Sequence, residues 1–492
     1  MLTCTLAGSA CAAHQPVRTA AAEPSRAVRE LRADLARVFG APIMDRGVWA
    51  VDVKSLDRGE GLYDLNAGKL MMPASNMKIL TLAATAETLG WDYRFTITLE
   101  TRGTVANGVL HGDLIVRSNG DPSINAREGR ADAVIDEWAR ALQATGISSI
   151  DGRVIGDDQA FDDEGLGAGW AWDYLQYGYA APVGALEFNE NIATLTIAPD
   201  ATAGASAIIG ISPGSGFTLL NRAISGAEGS EETLDYRRHI DRAVLEVTGS
   251  IPFGSPTRTR GVAVVNPTIF VAQGLKDGLA SRGITVSGEA VDLDDVAAAE
   301  MQNPAERRVL ASAESPPLRD IATVLMKMSQ NLYAETLLKA LGAAGGGLGT
   351  AEGGRLAVRK TLDAWGVPGD GYVMFDGSGL SRYNYVTAAT LTTVLERMYK
   401  DPRHHDPFIA TLPIAGKDGT LGTRMRRTRA EGNAVAKTGS ISNVRALSGF
   451  VRSRDGEMLL FSILTNDFVI PAATVNWIAD LGVEILSNFT RR

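Results

Sequence analysis

Cysteine is almost absent from this chain of 492 residues, and the two that occur, Cys4 and Cys11, both lie within the first eleven positions. Once the segment that carries them is removed, no thiol remains and no disulfide can form. The five histidines are scattered and make no H-E-x-x-H, so neither a metal nor any other cofactor is expected. No apolar stretch reaches the ~18 residues that a transmembrane helix needs. Basic residues are nowhere dense: the net charge is −9, and the one short run is Arg424-Met425-Arg426-Arg427. Nucleic acid is therefore not an expected partner, and that run reads as a solvated loop.

What is present is an ordinary globular composition, 45% hydrophobic and 21% charged, with length for about three domains. Residues 1–13 are small and apolar, and Ala10-Cys11-Ala12 resembles an A-x-A cleavage site. Gly8 stands where a lipobox wants leucine. The expectation is a signal peptide and flexible leader over residues 1–26, with export to the periplasm or cell envelope.

Hydrophobic spacing organises the remainder. Val28, Leu31, Leu35 and Val38 make one face of a helix over 27–39. Trp49 to Val53 alternates as a strand and returns through Leu62 to Leu65 as a hairpin. Ser75 to Leu89 is alanine-rich and apolar on most sides, the pattern of a buried central helix. From about Tyr93 to Val296 short β-prone runs and many glycines dominate. Helical texture resumes at Leu318 to Met328 and Tyr333 to Leu341. Two strong strands, Ala446 to Val451 and Met458 to Leu464, flank a hairpin turn at Arg454-Asp455-Gly456-Glu457. An amphipathic helix over 472–488 closes the chain. The expected fold class is α+β: both ends supply a discontinuous domain, 27–95 with 305–492, around a β-rich insertion at 96–304 that holds a nested subdomain at about 190–262. Gly345 to Gly349 is followed by no phosphate-cradle pattern and reads as a loop.

Three short motifs carry chemistry. Ser75-Asn76-Met77-Lys78 is the sole S-x-x-K. On a helix, positions i and i+3 share a face, so the amine reaches the hydroxyl. A serine is a weak nucleophile until a base takes its proton, and lysine serves only when burial or a second cation strips its charge. Lys437-Thr438-Gly439 is the sole K-T-G, following the β-prone Ala434-Val435-Ala436. A strand edge there offers backbone N–H groups to an extended peptide, and the glycine allows close approach. S-x-N occurs twice. Ser123-Ile124-Asn125 follows a turn signal, whereas Ser329-Gln330-Asn331 interrupts two helical runs, where polar side chains can face a cleft. Ser329 would relay a proton and Asn331 would hold the substrate amide. The combination of S-x-x-K, S-x-N and K-T-G is the set of penicillin-binding proteins and class A β-lactamases.

Longer blocks make the likeness specific: Pro73 to Lys78, Gly112-Asp113-Leu114 with Gly120 to Ser123, Trp170-Ala171-Trp172, Asp376 to Arg382, Leu412 to Gly416 with Asp418-Gly419-Thr420, and Lys437 to Ser440 with Leu447 to Phe450. On these blocks the chain resembles, from about residue 27 to its end, the class C low-molecular-mass penicillin-binding proteins of the penicillin-binding protein 4 type. These are the D-alanyl-D-alanine carboxypeptidases/endopeptidases of peptidase family S13. The resemblance implies a penicillin-binding/serine β-lactamase-like transpeptidase domain, an antiparallel sheet flanked by helices. Its large insertion would lie in the 254 positions from Ser75 to Ser329. Gln330 replaces the aspartate usual in the middle motif.

The resemblance further implies catalytic Ser75, Lys78, Ser329, Asn331 and Lys437, with an oxyanion hole from the amides of Ser75 and Ser440. Thr438, Gly439 and Ser440 would bind substrate, and Asp157 (or Asp158), Phe161 and Arg382 would form a subsite for the diaminopimelate side chain. The implied partners are stem peptides ending in D-Ala-D-Ala, D-Ala-diaminopimelate cross-links and β-lactams. The alternatives are a serine β-lactamase or esterase on the same core, for which Glu187-Phe188-Asn189 is a poor deacylation segment, and a non-catalytic wall-binding protein.

Overall fold

The computed structural model describes residues 24–297 and 307–492. Most of the expected leader, with Cys4, Cys11 and the cleavage site, and the expected 304/305 boundary lie outside those residues. α1 (Arg26–Phe39) starts at Ser25, whose hydroxyl accepts the Val28 N–H at 3.3 Å as an N-cap does. It buries Val28, Leu31, Leu35 and Phe39 along one stripe. Strands Val48–Ser55 and Glu60–Leu65 form the expected hairpin. After a single 3₁₀ turn at Ala74–Asn76 comes α2 (Met77–Leu89). Its alanines, leucines and methionine favour helix, and every residue from Met77 to Ala86 is buried.

The chain then builds a separate group of sheets. Ala290–Asp292, Val154–Asp157, Leu114–Ser118, Thr96–Thr101 and Arg308–Glu314 make a mixed five-stranded sheet in that order. Two helices, α3 (Arg130–Ala144) and α4 (Pro267–Ala280), pack there, so the stretch read as β-rich also contains helix. Eight strands between Ile192 and Ala263 pair with one another in three small sheets. They enclose a core of Leu195, Ile197, Leu245, Val247, Ile251 and Val262. The strand Arg308–Glu314 pairs antiparallel with Thr96–Thr101. Its partner lies some 200 positions away, and no local pattern carries that pairing.

Helices α5 (Leu318–Lys327), α6 (Asn331–Ala343), α7 (Ala351–Ala364), α8 (Ala388–Lys400) and α9 (His405–Thr411) follow. Strands Val435–Ile441, Val444–Arg452 and Met458–Asn466 come next, and then α10 (Ala472–Asn488). The main antiparallel sheet runs 60–65, 48–55, 458–466, 444–452, 435–441, so the two ends of the chain share it. Its central strand, Met458–Asn466, is buried throughout. Leu459, Phe461 and Ile463 pack in the core with α1 and α10, while Leu460 and Leu464 pack in the core with α2, α5, α6 and α8. This is the period-2 alternation of a strand covered on both sides. Strand Val435–Ile441 is left at the edge.

Asp157 is buried at the end of its strand and pairs with Arg307, which also reaches Glu100 at 3.4 Å; exposed Arg117 lies 3.9 Å off. Removing one member of a buried pair leaves the other charge uncompensated. Arg307→Met is therefore expected to destabilise the protein by about 3 kcal/mol, read as a lower denaturant midpoint, while the rate of acylation of the folded protein is unchanged.

Candidate active site

Ser75 sits in the 3₁₀ turn that feeds α2, at the one place where that helix meets the edge strand. The next residue ties the turn to the sheet: Asn76 Nδ2 donates to Ser448 Oγ at 2.7 Å, and Ser448 Oγ donates to Ser462 Oγ at 2.9 Å. Gly379, at φ +86°, abuts the turn so closely that a Cβ there would stand 1.8 Å from the Ala74 carbonyl oxygen. Only glycine fits.

Lys78 follows one turn on and is fully buried. Its Nζ donates to Ser75 Oγ at 2.9 Å, Asn331 Oδ1 at 2.6 Å and the Ser378 carbonyl at 2.8 Å. Three acceptors satisfy the three donors of an ammonium, and loss of one proton leaves a lone pair for the serine. Burial lowers the amine to about 7, against the opposing pull of the Asp376 and Glu335 carboxylates. A buried amine without water loses its charge readily, which is what a base at neutral pH requires.

Ser329 stands between α5 and α6 with φ +60°, a left-handed conformation uncommon for a residue with a Cβ. It accepts from Lys437 Nζ at 2.8 Å. Lys437 is fully buried and also donates to the Thr438 carbonyl at 2.8 Å. Burial, and then the charge of Lys78, push its amine well down. The Asn331 amide is used on both sides: Oδ1 faces Lys78, and Nδ2 donates to the Tyr179 carbonyl at 2.7 Å. The reverse orientation would set two donors against each other, so the assignment is chemically determined. Asn331 thus orients the Lys78 amine, and it also lines the cleft, where the sequence reading had it hold the substrate amide. Gln330 caps α6, its Oε1 accepting from Leu332 N–H at 3.3 Å.

Strand Val435–Ile441 pairs on one side with Val444–Arg452. On the other, the Ala436 N–H donates to the Pro413 carbonyl at 3.0 Å. Amides alternate along a strand, so those of Thr438 and Ser440 face that same outer edge. Gly439 lets the edge approach the nucleophile: a Cβ there would lie 2.6 Å from the Pro73 carbonyl oxygen and 3.1 Å from the Ser75 nitrogen. Between these parts opens a cleft of about 390 Å³, lined by Ser75, Ser329, Asn331, Thr438 and Ser440, with Tyr174 and Tyr179 contributed from the long insertion.

A nucleophile in contact with a buried amine, a second serine–lysine contact and an open strand edge together make an acyl-transfer site. Comparison with known proteins agrees. The profile of the D-Ala-D-Ala carboxypeptidase 3 (S13) family matches residues 31–488. The chain belongs to that family. It is 35% identical over 455 residues to a D-alanyl-D-alanine carboxypeptidase of Actinomadura sp. (strain R39), covering 90% of this chain and 82% of the relative. It is 30% identical over 434 residues to the D-alanyl-D-alanine carboxypeptidase DacB of Haemophilus influenzae, covering 84% of each. The crystal structure of penicillin binding protein 4 (dacB) from that organism superposes with a TM-score of 0.78 at 26% identity, over 94% of this chain and 99% of the other. The fold is that of a penicillin-binding protein, and the protein is a penicillin-binding serine D-Ala-D-Ala carboxypeptidase.

This S13 enzyme brings Ser75, Lys78, Ser329, Asn331, Lys437, Thr438, Gly439 and Ser440 together. It does not bring Asp157 or Phe161 to the cleft. Asp157 is consumed by its ion pairs, and Phe161 is buried with its ring against Gly120 and Gly349. Asp158 bonds to Thr268 in a different, acidic hollow. Short sequence distance from a motif says little about which way a strand end turns. Arg382 does reach the cleft rim: its Nη2 donates to the Ser442 carbonyl at 3.1 Å, beside Tyr174, whose hydroxyl lies 3.0 Å from Ser442 Oγ.

The sequence reading assigned no role to Tyr174, Tyr179, Ser442, Glu335 or Asp376. The motif-like block Asp376 to Arg382 was the one available signal. Asp376 shapes that loop, accepting from Gly379 and Ser381 N–H, Asn384 Nδ2 and Trp170 Nε1. Among the described residues one group, Glu87, Asp401 and His404, could present three metal ligands. The guanidinium of Arg403 already bonds both carboxylates, and His404 Nδ1 accepts from Trp91 Nε1 at 3.1 Å. The group is a satisfied ion network and does not fit a metal.

Two outcomes follow. The rate of acylation by a β-lactam should rise as pH increases through about 7 and then level off, because Lys78 must lose its proton to act as base; stopped-flow rates between pH 5.5 and 8.5 measure it. Gly439→Ala should slow acylation roughly 10²-fold, the scale of a lost oxyanion donor, with little change in circular dichroism.

Proposed function

We propose that this carboxypeptidase also acts as a D,D-endopeptidase, cleaving D-Ala-diaminopimelate cross-links as well as D-Ala-D-Ala termini of peptidoglycan stem peptides. The observation that carries the reading is the 2.9 Å contact of the buried Lys78 amine with Ser75 Oγ, completed by the Lys437–Ser329 contact across the cleft. Ser75 attacks the carbonyl of the penultimate D-Ala while neutral Lys78 takes its proton. The amides of Ser75 and Ser440 hold the oxyanion, worth roughly 3 kcal/mol per donor when aligned. Ser329 and Lys78 pass the proton taken from Ser75 on to the departing amine, the C–N bond breaks, and water hydrolyses the ester on Ser75, restoring its hydroxyl. Lys437 with Thr438, whose hydroxyl donates to Thr420 Oγ1 at 2.7 Å, binds the terminal carboxylate.

The edge strand supports an extended substrate that runs past Gly439 and Ser440 towards Ser442. There Arg382 and Tyr174 are suited to a carboxylate on the diaminopimelate side chain. Burial raises the Tyr174 phenol, and hydrogen bonds with Ser442 and Arg382 outweigh that and leave it below its ordinary value, as expected beside a cation. A β-lactam is read as a mimic of the D-Ala-D-Ala end that acylates the same serine. Export to the periplasm by an N-terminal signal peptide goes with this substrate; no helix among the described residues is long and apolar enough to cross a membrane.

Intact mass after penicillin treatment is expected to show one adduct on the wild type and none on Ser75→Ala. Rapid multiple turnover of a chromogenic cephalosporin, without a persisting adduct, would favour a β-lactamase. Arg382→Ala should raise KM for diaminopimelate-containing peptides about tenfold, equivalent to about 1.4 kcal/mol, and leave penicillin acylation unchanged. An equal loss on both would remove Arg382 from the subsite.

A further inference from the structure

Glu335 lies one turn along α6 from Asn331, is buried, and touches none of the reacting atoms. Both carboxylate oxygens are taken by one loop: Oε2 accepts the Gly377 N–H at 3.0 Å and Oε1 the Ser378 N–H at 2.8 Å. The carbonyls of the same two residues point the other way, into α2. Gly377 O accepts from Thr81 Oγ1 at 2.7 Å, and Ser378 O accepts from Lys78 Nζ at 2.8 Å. The loop is thus a strap between two helices, fastened behind by Glu335 and in front by the Lys78 amine.

We propose that Glu335 is a positioning residue for acyl transfer. Through the Ser378 carbonyl it holds the Lys78 amine against Ser75, and as a negative charge buried behind that amine it sets the pH at which the amine becomes a base. The proposal rests on Lys78 being that base.

The geometry favours an ionised carboxylate: each oxygen accepts from a backbone N–H, and such bonds stabilise the charged form. When Lys78 takes the serine proton, an ammonium forms in a buried site, and charge on Glu335 and Asp376 compensates it. Too much compensation would keep Lys78 charged and idle; burial opposes it. Burial and the nearby Asp376 push the Glu335 carboxyl up to about 7, against hydrogen bonds from Ser378 and Gly377 that pull it down. The other charged groups around this strap are already engaged. Lys437 of the edge strand holds Ser329, and Lys339 of α6 is tied to Asp162. Arg355 of α7 donates to the Phe375 carbonyl. Burial pushes the Glu187 carboxyl well above its ordinary range, and its Oε1 accepts from Thr336 Oγ1 at 2.7 Å.

The test is the pH profile of penicillin acylation in the full-length protein, with stability followed by thermal unfolding. Glu335→Gln removes the charge and one acceptor. It should lower the plateau rate at least tenfold and move the midpoint down by roughly half to one pH unit. Glu335→Asp keeps the charge but shortens the reach, so it should lower the rate and leave the midpoint within about 0.3 unit of wild type. A Glu335→Gln protein that loses rate with its midpoint unmoved has only a structural role there, and one that acylates as wild type has none; either overturns the proposal. Should Glu335→Gln fail to fold, Glu335→Asp decides, because a wild-type rate in that variant overturns the positioning. Absence of acylation in the wild type would instead sink the reading of Lys78 and Ser75.

Discussion

A buried lysine amine held against a serine hydroxyl is the constraint around which the rest of this molecule is arranged. An ammonium in bulk solvent stays protonated until pH values far above those at which the enzyme must work. Enclosing Lys78 in α2, a helix buried on nearly every side, lowers its proton affinity. The same enclosure would make an unpaired ammonium costly. Asn331, the Ser378 carbonyl and Ser75 supply the three acceptors that make either protonation state tolerable. The site is therefore a balance between desolvation, which strips the charge, and two buried carboxylates, which restore it.

That balance explains why the catalytic parts come from such distant segments. The amine and nucleophile ride on α2, the acceptor that orients the amine on α6, and the second serine–lysine contact spans the α5–α6 corner and the edge strand. The insertion is part of the machinery as well. It supplies the Tyr179 carbonyl that fixes the Asn331 amide and the Trp170 indole that braces Asp376, and Tyr174 and Tyr179 line the cleft. Tyr174 and Tyr179 thereby form a side wall of the cleft beside Thr438 and Ser440 of the edge strand.

Much of this was legible from residues alone. Helical periodicity placed α1, α2 and α10, and the terminal hairpin announced the centre of the sheet. The three motifs named Lys78 and Lys437, the lysines that bond to Ser75 and Ser329. Other features were not legible, each for a physical reason. The strand Arg308–Glu314 belongs with Thr96–Thr101 because of a pairing made across some two hundred residues. Asp157 is held by Arg307, and Phe161 packs into the core that holds α2 and α6, its ring against Gly120 and Gly349. Glu335 belongs to none of the motifs, and its place at the site comes from the loop at Gly377 and Ser378, which closes over it.

By itself, then, the sequence indicated the reaction class through the family resemblance that its three motifs and longer blocks carry. It also determined the α+β class, because periods of two and 3.6 residues are local geometry. Tertiary structure alone decided which polar groups surround the reacting atoms, which carboxylates tune the base and which aromatic side chains wall the cleft. Those choices depend on burial and on contacts between segments hundreds of positions apart, and neither burial nor long-range contact is a property of any short stretch of chain.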